Sequence, residues 1–462
     1  MADEIKLSDK LFMKKQNIFD VADDSRKKKI FEFAESYKSF LDIAKTEREA
    51  TEAAIEAAKG YGFTEYKFGD QLKAGDKKYY NNRGKSVYVF KIGTKPIDKE
   101  GIRLLAAHID SPRIDLKQVP LYEDSGMAFF KTHYYGGIKK YQWTAIPLSL
   151  HGVILKNDGT SVNVRIGDDL GDPVFYINDL LPHLSQEQSQ KPLANAITGE
   201  GLNILVGGIP LKDGEGEGSI KLGVLNILNE KYGITEEDFI SAELTCVPAF
   251  NARDIGFDRA FIGAYGHDDR VCAYPMLRAI FDNETEQTVV AVLADKEETG
   301  SDGNTGMQSM LLLDIINEIS ASLGANPVAV RAESKCLSAD VHASYDPNYK
   351  EAFEARNSAM ISCGTCMSKF TGARGKSGTS DASAEYVGFI RKLFAENGVQ
   401  WQTGELGRVD LGGGGTVAKY IANLNIDTVD LGVPVISMHA PYEVVSKADV
   451  YSTYEAFSVF VK

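Results

Sequence analysis

The chain has 462 residues, 43% hydrophobic and 25% charged, with a formal net charge of -14. That length exceeds what one hydrophobic core usually serves, so two domains are expected. The acidic surplus leaves nothing to neutralise phosphates and argues against a nucleic-acid binder, and no run of about eighteen apolar residues offers a membrane span.

The opening from Met1 to Lys15 is charged and lacks the apolar centre of a signal peptide, which points to a cytoplasmic protein. Residues Ser25 to Gly60 carry apolar positions at helical spacing among Lys, Glu and Ala, predicting two amphipathic helices. Ser86 to Ile92 reads as a strand, and Ile102 to Ala107 as a second, fully buried one that runs into His108. Between about Pro120 and Asp254 the texture changes to short, glycine-punctuated segments such as Leu148 to Leu155, Val162 to Ile166 and Leu222 to Leu225, as expected of a separate strand-rich insertion. Ser185 to Lys221, polar and carrying KDGEGEG at Lys212 to Gly218, predicts a mobile loop.

From Phe257 onward, strand and helix patterns alternate. Val289 to Leu293 is an apolar, β-branched strand, and Met307 to Ile319 has helical spacing. Further helices are expected near Ser380 to Asn397, Gly415 to Asn423 and from Lys447, with a strand near Val433 to Ser437. Such alternation predicts an α/β sandwich with its site at the carboxyl ends of the strands. The expected division is therefore a first part over residues 1–118, an insertion over 119–256 and a second part over 257–462.

Acidic or histidine-bearing motifs follow these apolar runs or open a helix: AAHIDSPRID (His108, Asp110), GHDDR (Asp268, Asp269), DKEETGS (Glu297, Glu298), SADVHAS (Asp340, His342) and SMHAPYE (His439). In an extended segment His108 and Asp110 share a face, so the carboxylate can orient the imidazole. Adjacent Glu297 and Glu298 repel one another unless a cation separates them or the loop is solvated. A metal resolves the conflict if Glu298 is a ligand and Glu297 holds a water. Carboxylates mixed with imidazoles suit zinc, manganese or cobalt better than calcium, and one carboxylate can bridge two cations roughly 3.5–4 Å apart.

Two other motifs carry less. Gly412 to Gly415 with Thr416 lacks the lysine of a phosphate-binding loop, so a close approach of backbone to substrate is expected there. Cys363 and Cys366 form a C-x-x-C without a second pair, and five cysteines do not form a disulfide framework.

Taken in order, H-x-D-S-P, D-D, E-E-x-G-S, S-A-D and M-H resemble the aspartyl aminopeptidase and vacuolar aminopeptidase I family of metallopeptidases over essentially the whole chain. The resemblance implies an aminopeptidase-type α/β domain interrupted by a β-rich dimerisation domain, with dimers assembling into a homo-oligomeric dodecamer that admits peptides. It implies two divalent metal ions per subunit, zinc first and cobalt or manganese next. His108, Asp268, Glu298, Asp340 and His439 would be the ligands, Asp268 the bridge, Asp110 the orienting aspartate and Glu297 the general base.

Departures concern substrate choice. YYGGIKKYQW places Tyr141 where the family has a histidine contributed by a partner subunit, and His342 follows Asp340 by two residues rather than three. Lys369, Arg374 and Lys376 remain candidates for the cation that would read an acidic N-terminal residue. The rival expectations are a dinuclear deacylase or carboxypeptidase with the same ligands, and a self-assembling scaffold without catalysis.

Overall fold

The computed structural model describes residue 7, residues 11–212 and residues 218–462. Most of the charged opening from Met1 to Lys15 and the centre of the KDGEGEG stretch lie outside the described residues.

Nine strands form a central mixed sheet in the order Thr64–Glu65, Lys77–Asn82, Ser86–Lys91, Thr288–Ala294, Ile102–His108, Lys335–Ser338, Asp427–Gly432, Thr365–Ser368 and Trp401–Thr403. The four strands from Thr288–Ala294 to Asp427–Gly432 are parallel neighbours. Their sequences show why they lie at the centre. In Thr288–Ala294, Val289, Ala291 and Leu293 pack on one face while Val290, Val292 and Ala294 pack on the other. A two-residue period with apolar side chains on both sides can be satisfied only with a layer on each face. Each leucine so buried contributes about 1.5–3 kcal/mol.

One covering layer consists of the helices Asp24–Ile43, Glu47–Gly60, His267–Asp282, Ala384–Glu396 and Lys447–Val461. The other is built on Leu311–Ser322, Pro327–Glu333 and Ala418–Ala422. In Asp24–Ile43 the buried positions Ile30, Phe33, Ala34, Tyr37, Phe40 and Leu41 repeat at three and four residues, making one apolar stripe. Glu47–Gly60 begins with a reciprocal capping box between Thr46 and Glu49, a device whose loss costs about 1 kcal/mol.

A seven-stranded sheet, in the order Ala242–Pro248, Arg113–Asp124, Met127–Tyr135, Ile204–Gly207, Phe175–Ile177, Pro147–Leu155 and Ser161–Ile166, has its own core around Phe130, Trp143, Leu150 and Ile204. Two expectations fail in this region. Leu222 to Leu225 is not a strand but part of the helix Ser219–Tyr232. Ile220, Val224, Leu228 and Tyr232, four apart, turn toward this core, and a four-residue window could not reveal that period. The segment from Ser185 to Lys221 is not a bare loop either. It holds short turns and the strand Ile204–Gly207, paired between Met127–Tyr135 and Phe175–Ile177, because long-range pairing supplies what the local sequence lacks.

A third sheet, Arg253–Ile255, Phe261–Ala264, Glu443–Ser446, Pro434–Ile436 and His342–Ala343, lies beside the site. Among the described residues no helix is long and apolar enough to cross a membrane.

Candidate metal centre

Three neighbouring parallel strands of the central sheet end at the same edge. Ile102–His108 terminates on His108, Thr288–Ala294 leads to Glu297 and Glu298, and Lys335–Ser338 leads to Asp340. The small sheet supplies the rest. Asp268 opens the helix that follows Phe261–Ala264, through a cis Asp268–Asp269 peptide, and His439 sits in the turn between Pro434–Ile436 and Glu443–Ser446.

The side chains converge around Asp268. Its Oδ1 lies 3.1 Å from His108 Nε2, and its Oδ2 lies 3.2 Å from His439 Nε2. Asp340 Oδ1 is 4.0 Å from His108 Nε2, and Glu298 Oε1 is 3.5 Å from His439 Nε2. His108, Asp268 and Asp340 thus form one group able to hold a metal ion, and Asp268, Glu298 and His439 a second. Ligands about 2.0–2.2 Å from one tetrahedral cation would lie about 3.3–3.6 Å from each other, close to these spacings.

The hydrogen bonds fix the ring tautomers. His108 Nδ1 donates to the carbonyl of Asp110 at 3.0 Å, and His439 Nδ1 donates to that of Gly137 at 2.7 Å. A carbonyl only accepts, so each Nδ1 carries a proton and each ring turns its Nε2 toward carboxylate oxygens. Asp268 Oδ1 and Glu298 Oε1 are buried without a hydrogen-bond partner. Carboxylate oxygens and imidazole nitrogens this close need positive charge between them, from protons or a metal ion, and the mixed N and O donors suit zinc.

The charge balance agrees. Burial alone would lower His439, but Asp268 and Glu298 overcome it and push its pKa up to about 10. His108 is likewise raised well above the ordinary value, burial being outweighed by Asp110 and Asp268. Burial, joined by the Asp268 charge, raises Glu298, and burial with neighbouring carboxylates raises Asp340. Burial also pushes Glu297 up to about 6, with His108 opposing and Asp268 assisting. The cluster as a whole demands positive charge.

Asp110 lies behind His108, Oδ1 3.3 Å from the ring Nδ1, and accepts the backbone N–H groups of Glu297 at 3.1 Å and Glu298 at 3.2 Å. Glu297 turns its Oε2 to within 4.0 Å of His108 Nε2. A cavity of about 480 Å³ opens over these groups, with the Gly413–Gly415 backbone, His342, Ser368 and Lys419 among its walls.

The remaining substrate candidates fall in different places. Ser368 gives its proton to the carbonyl of Gly404 at 2.7 Å and so accepts from His342 Nδ1 at 3.2 Å, leaving His342 Nε2 a bare acceptor at the cavity wall. Tyr141 is exposed on the turn Lys140–Trp143 and is not part of that wall. Lys369 and Lys376 both pair with Asp381 at the surface. They and Arg374 are not among the lining residues; Lys419, which follows the glycine run, is the one Lys or Arg among the described lining residues. Sequence reasoning passed over Lys419, and also Glu443, whose carboxylate accepts the N–H groups of His439 and Asp268. The spacing of Glu443 from His439 within HAPYE was a signal that could have drawn attention to it.

The model of the aminopeptidase I zinc metalloprotease (M18) family matches residues 40–461. A protein of Clostridium acetobutylicum named probable M18 family aminopeptidase 1 is 48% identical over 455 residues, spanning 96% of this chain and 98% of that one. The crystal structure of an M18-family aminopeptidase from Thermotoga maritima superimposes with a TM-score of 0.93 at 43% identity, covering 98% of this chain and all (100%) of that one. That of aminopeptidase I from Clostridium acetobutylicum gives a TM-score of 0.92 at 45% identity with the same coverage of this chain, 98%. With a zinc-compatible cluster at the strand ends and a family match across nearly its whole length, the chain belongs to the M18 family of zinc metallo-aminopeptidases.

Proposed function

We propose that the chain removes the N-terminal residue of peptides with two divalent cations, zinc first and cobalt or manganese as alternatives. His108 and Asp340 would hold one, Glu298 and His439 the other, and Asp268 would bridge them. The observation that carries this reading is the single carboxylate of Asp268 facing, with its two oxygens, the Nε2 atoms of two imidazoles. When bound, the cations would polarise the scissile carbonyl and lower the pKa of a water at the centre.

The chain's own groups then have distinct tasks. Glu297, whose carboxyl is raised by burial beside the ligands, takes a proton from the attacking water and returns it to the departing amine as the C–N bond breaks. Asp110 keeps His108 in the required tautomer. His342 Nε2, an acceptor, can receive an N–H of the bound peptide. Lys419 gives the cavity a positive group that suits an acidic first residue, while a neutral one is accommodated by the apolar wall near Met438.

Residues 119–256 are read as the inserted dimerisation domain, in support of which Leu222 and Ile227 on its helix are exposed. In a homo-oligomer, up to a dodecamer, Tyr141 would lend its hydroxyl to the site of a neighbouring subunit. The test compares free and N-acetylated peptides before and after chelation. Cleavage of the free peptide alone, abolished by chelator and restored by zinc, is expected. Equal cleavage of the acetylated peptide would favour a deacylase or carboxypeptidase, and absence of any turnover with zinc bound would favour a scaffold.

A further inference from the structure

The strand Met127–Tyr135 belongs to the seven-stranded sheet, yet its end reaches both halves of the metal centre. Tyr135 lies opposite Arg113 in the strand pairing, so the register brings it beside the segment that follows Asp110. Its hydroxyl donates to Asp110 Oδ2 at 2.8 Å. Two residues on, the carbonyl of Gly137 accepts from His439 Nδ1 at 2.7 Å. One imidazole is therefore held through Asp110 and the other directly, by residues two apart in the same segment.

We propose that Tyr135-Gly136-Gly137 is an alignment clamp by which the inserted sheet sets the orientation of both imidazole ligands at once. The inference rests on the two-cation reading above and extends it to positioning residues outside the ligand set.

Each position of the segment is constrained accordingly. The Arg113 guanidinium lies 3.9 Å from the centre of the Tyr135 ring and is itself held by Glu47 at 3.1 Å and Asp115 at 2.8 Å. The ring therefore has little freedom to turn its hydroxyl away. Burial and the Asp110 charge raise the pKa of that hydroxyl, so it remains a donor. Gly136 has φ 74, where a side chain is strained, and a Cβ there would come to 3.1 Å from Glu298 Oε2. A Cβ on Gly137 would meet His439 Nδ1 at 3.4 Å. Bare backbone at both positions lets the segment lie against Glu298 and His439 together.

A tyrosine that merely packs at a domain junction would be replaceable by phenylalanine, which keeps the ring and removes only the hydroxyl. The experiment titrates metal-free wild type, Tyr135→Phe and Gly136→Ala with Co²⁺ against a competing chelator, following visible absorption, and measures kcat and KM with saturating zinc. Loss of an outer-shell partner costs roughly 10–100-fold in metal affinity or activity. Tyr135→Phe is expected to weaken one of two cobalt equivalents at least about ten-fold, leave the other within about two-fold, and lower kcat with little change in KM. Gly136→Ala is expected to weaken both equivalents. Wild-type cobalt binding and kcat in Tyr135→Phe would overturn the clamp, as would a Gly136→Ala protein indistinguishable from wild type. If wild type itself bound a single equivalent, the two-cation reading would fall. The clamp would then be judged separately, on the ratio of variant to wild-type affinity for that one ion.

Discussion

Glu443 accepts the backbone N–H of His439 at 2.7 Å, across the turn that swings the imidazole toward Asp268. Its other oxygen takes the N–H of Asp268 at 3.1 Å, so one buried carboxylate fixes the backbone of two proposed ligands. His439 has φ 65, left-handed and unfavourable for a side chain, and this bond helps to hold it there.

Replacing Glu443 by Ala strands both N–H groups in a buried place. Each unsatisfied donor costs about 1–3 kcal/mol, so Glu443→Ala is expected to lose about 2–6 kcal/mol in denaturant unfolding and to retain less zinc on dialysis. Glu443→Gln, which keeps one acceptor oxygen, should fall between. An unchanged midpoint for the alanine variant would remove Glu443 from this role.

Variants of Glu297 and His439 would separate the proposed proton transfer from the proposed metal holding. Glu297→Gln should keep its metal, by elemental analysis, while kcat drops about 10²–10⁴-fold. His439→Ala should instead lose metal. A Gln variant with most of its kcat would assign the base elsewhere.

Lys419 is expected to govern preference. A charge-assisted hydrogen bond to a substrate carboxylate is worth about 1.5–3 kcal/mol. Lys419→Met should therefore lower kcat/KM for peptides beginning with Glu or Asp about 10–100-fold, and change it little for Leu. Equal losses on both substrates would show that the lysine does not read the side chain.

Away from the metal centre, buried His151 lies 2.8 Å from Glu49 and 3.6 Å from Asp168, joining the helix Glu47–Gly60 to the seven-stranded sheet. Burial opposes its charge, but Asp168 and Glu49 raise its pKa. Burial likewise opposes charge on Glu49 and Asp168, and His151, joined by Lys45 at Asp168, overcomes it to lower both. The raised histidine stabilises fully below its ordinary value of 6.5 and loses that gain as pH rises through its folded value. The lowered carboxyls stabilise fully above 4.5 and 3.8 and lose their gain as pH falls through theirs. The Tm deficit of His151→Gln should therefore be greatest between pH 4.5 and 6.5 and shrink above it; a deficit flat into alkaline pH would contradict the ion-paired arrangement.

The residues that converge at the centre were legible because each follows an apolar strand or opens a helix, as His108 follows LLAA and Glu297 follows VVAVLADK. Strand ends of one sheet must emerge together. Tyr135 was not legible, since what it touches is set by the junction between sheets, and Glu443 was marked only by its spacing from His439, since the backbone groups it holds carry no pattern. Lys369 and Lys376 stood out as charges on a loop, but a loop can satisfy its own charges, and Asp381 does so. Leu222 to Leu225 misled because four apolar-rich residues fit either period.

Ladder pairing puts Ala294 level with His108, and Ser338 level with Ala106. The heights at which the reactive loops leave the scaffold are thus quantised by hydrogen-bonded rungs. Deleting one residue inside any of these strands would shift everything beyond it by about 3.3 Å and reverse its facing, further than a coordination bond of about 2 Å can follow. Length variation among descendants of this architecture is consequently barred from the interior of those strands and confined to the connecting arcs.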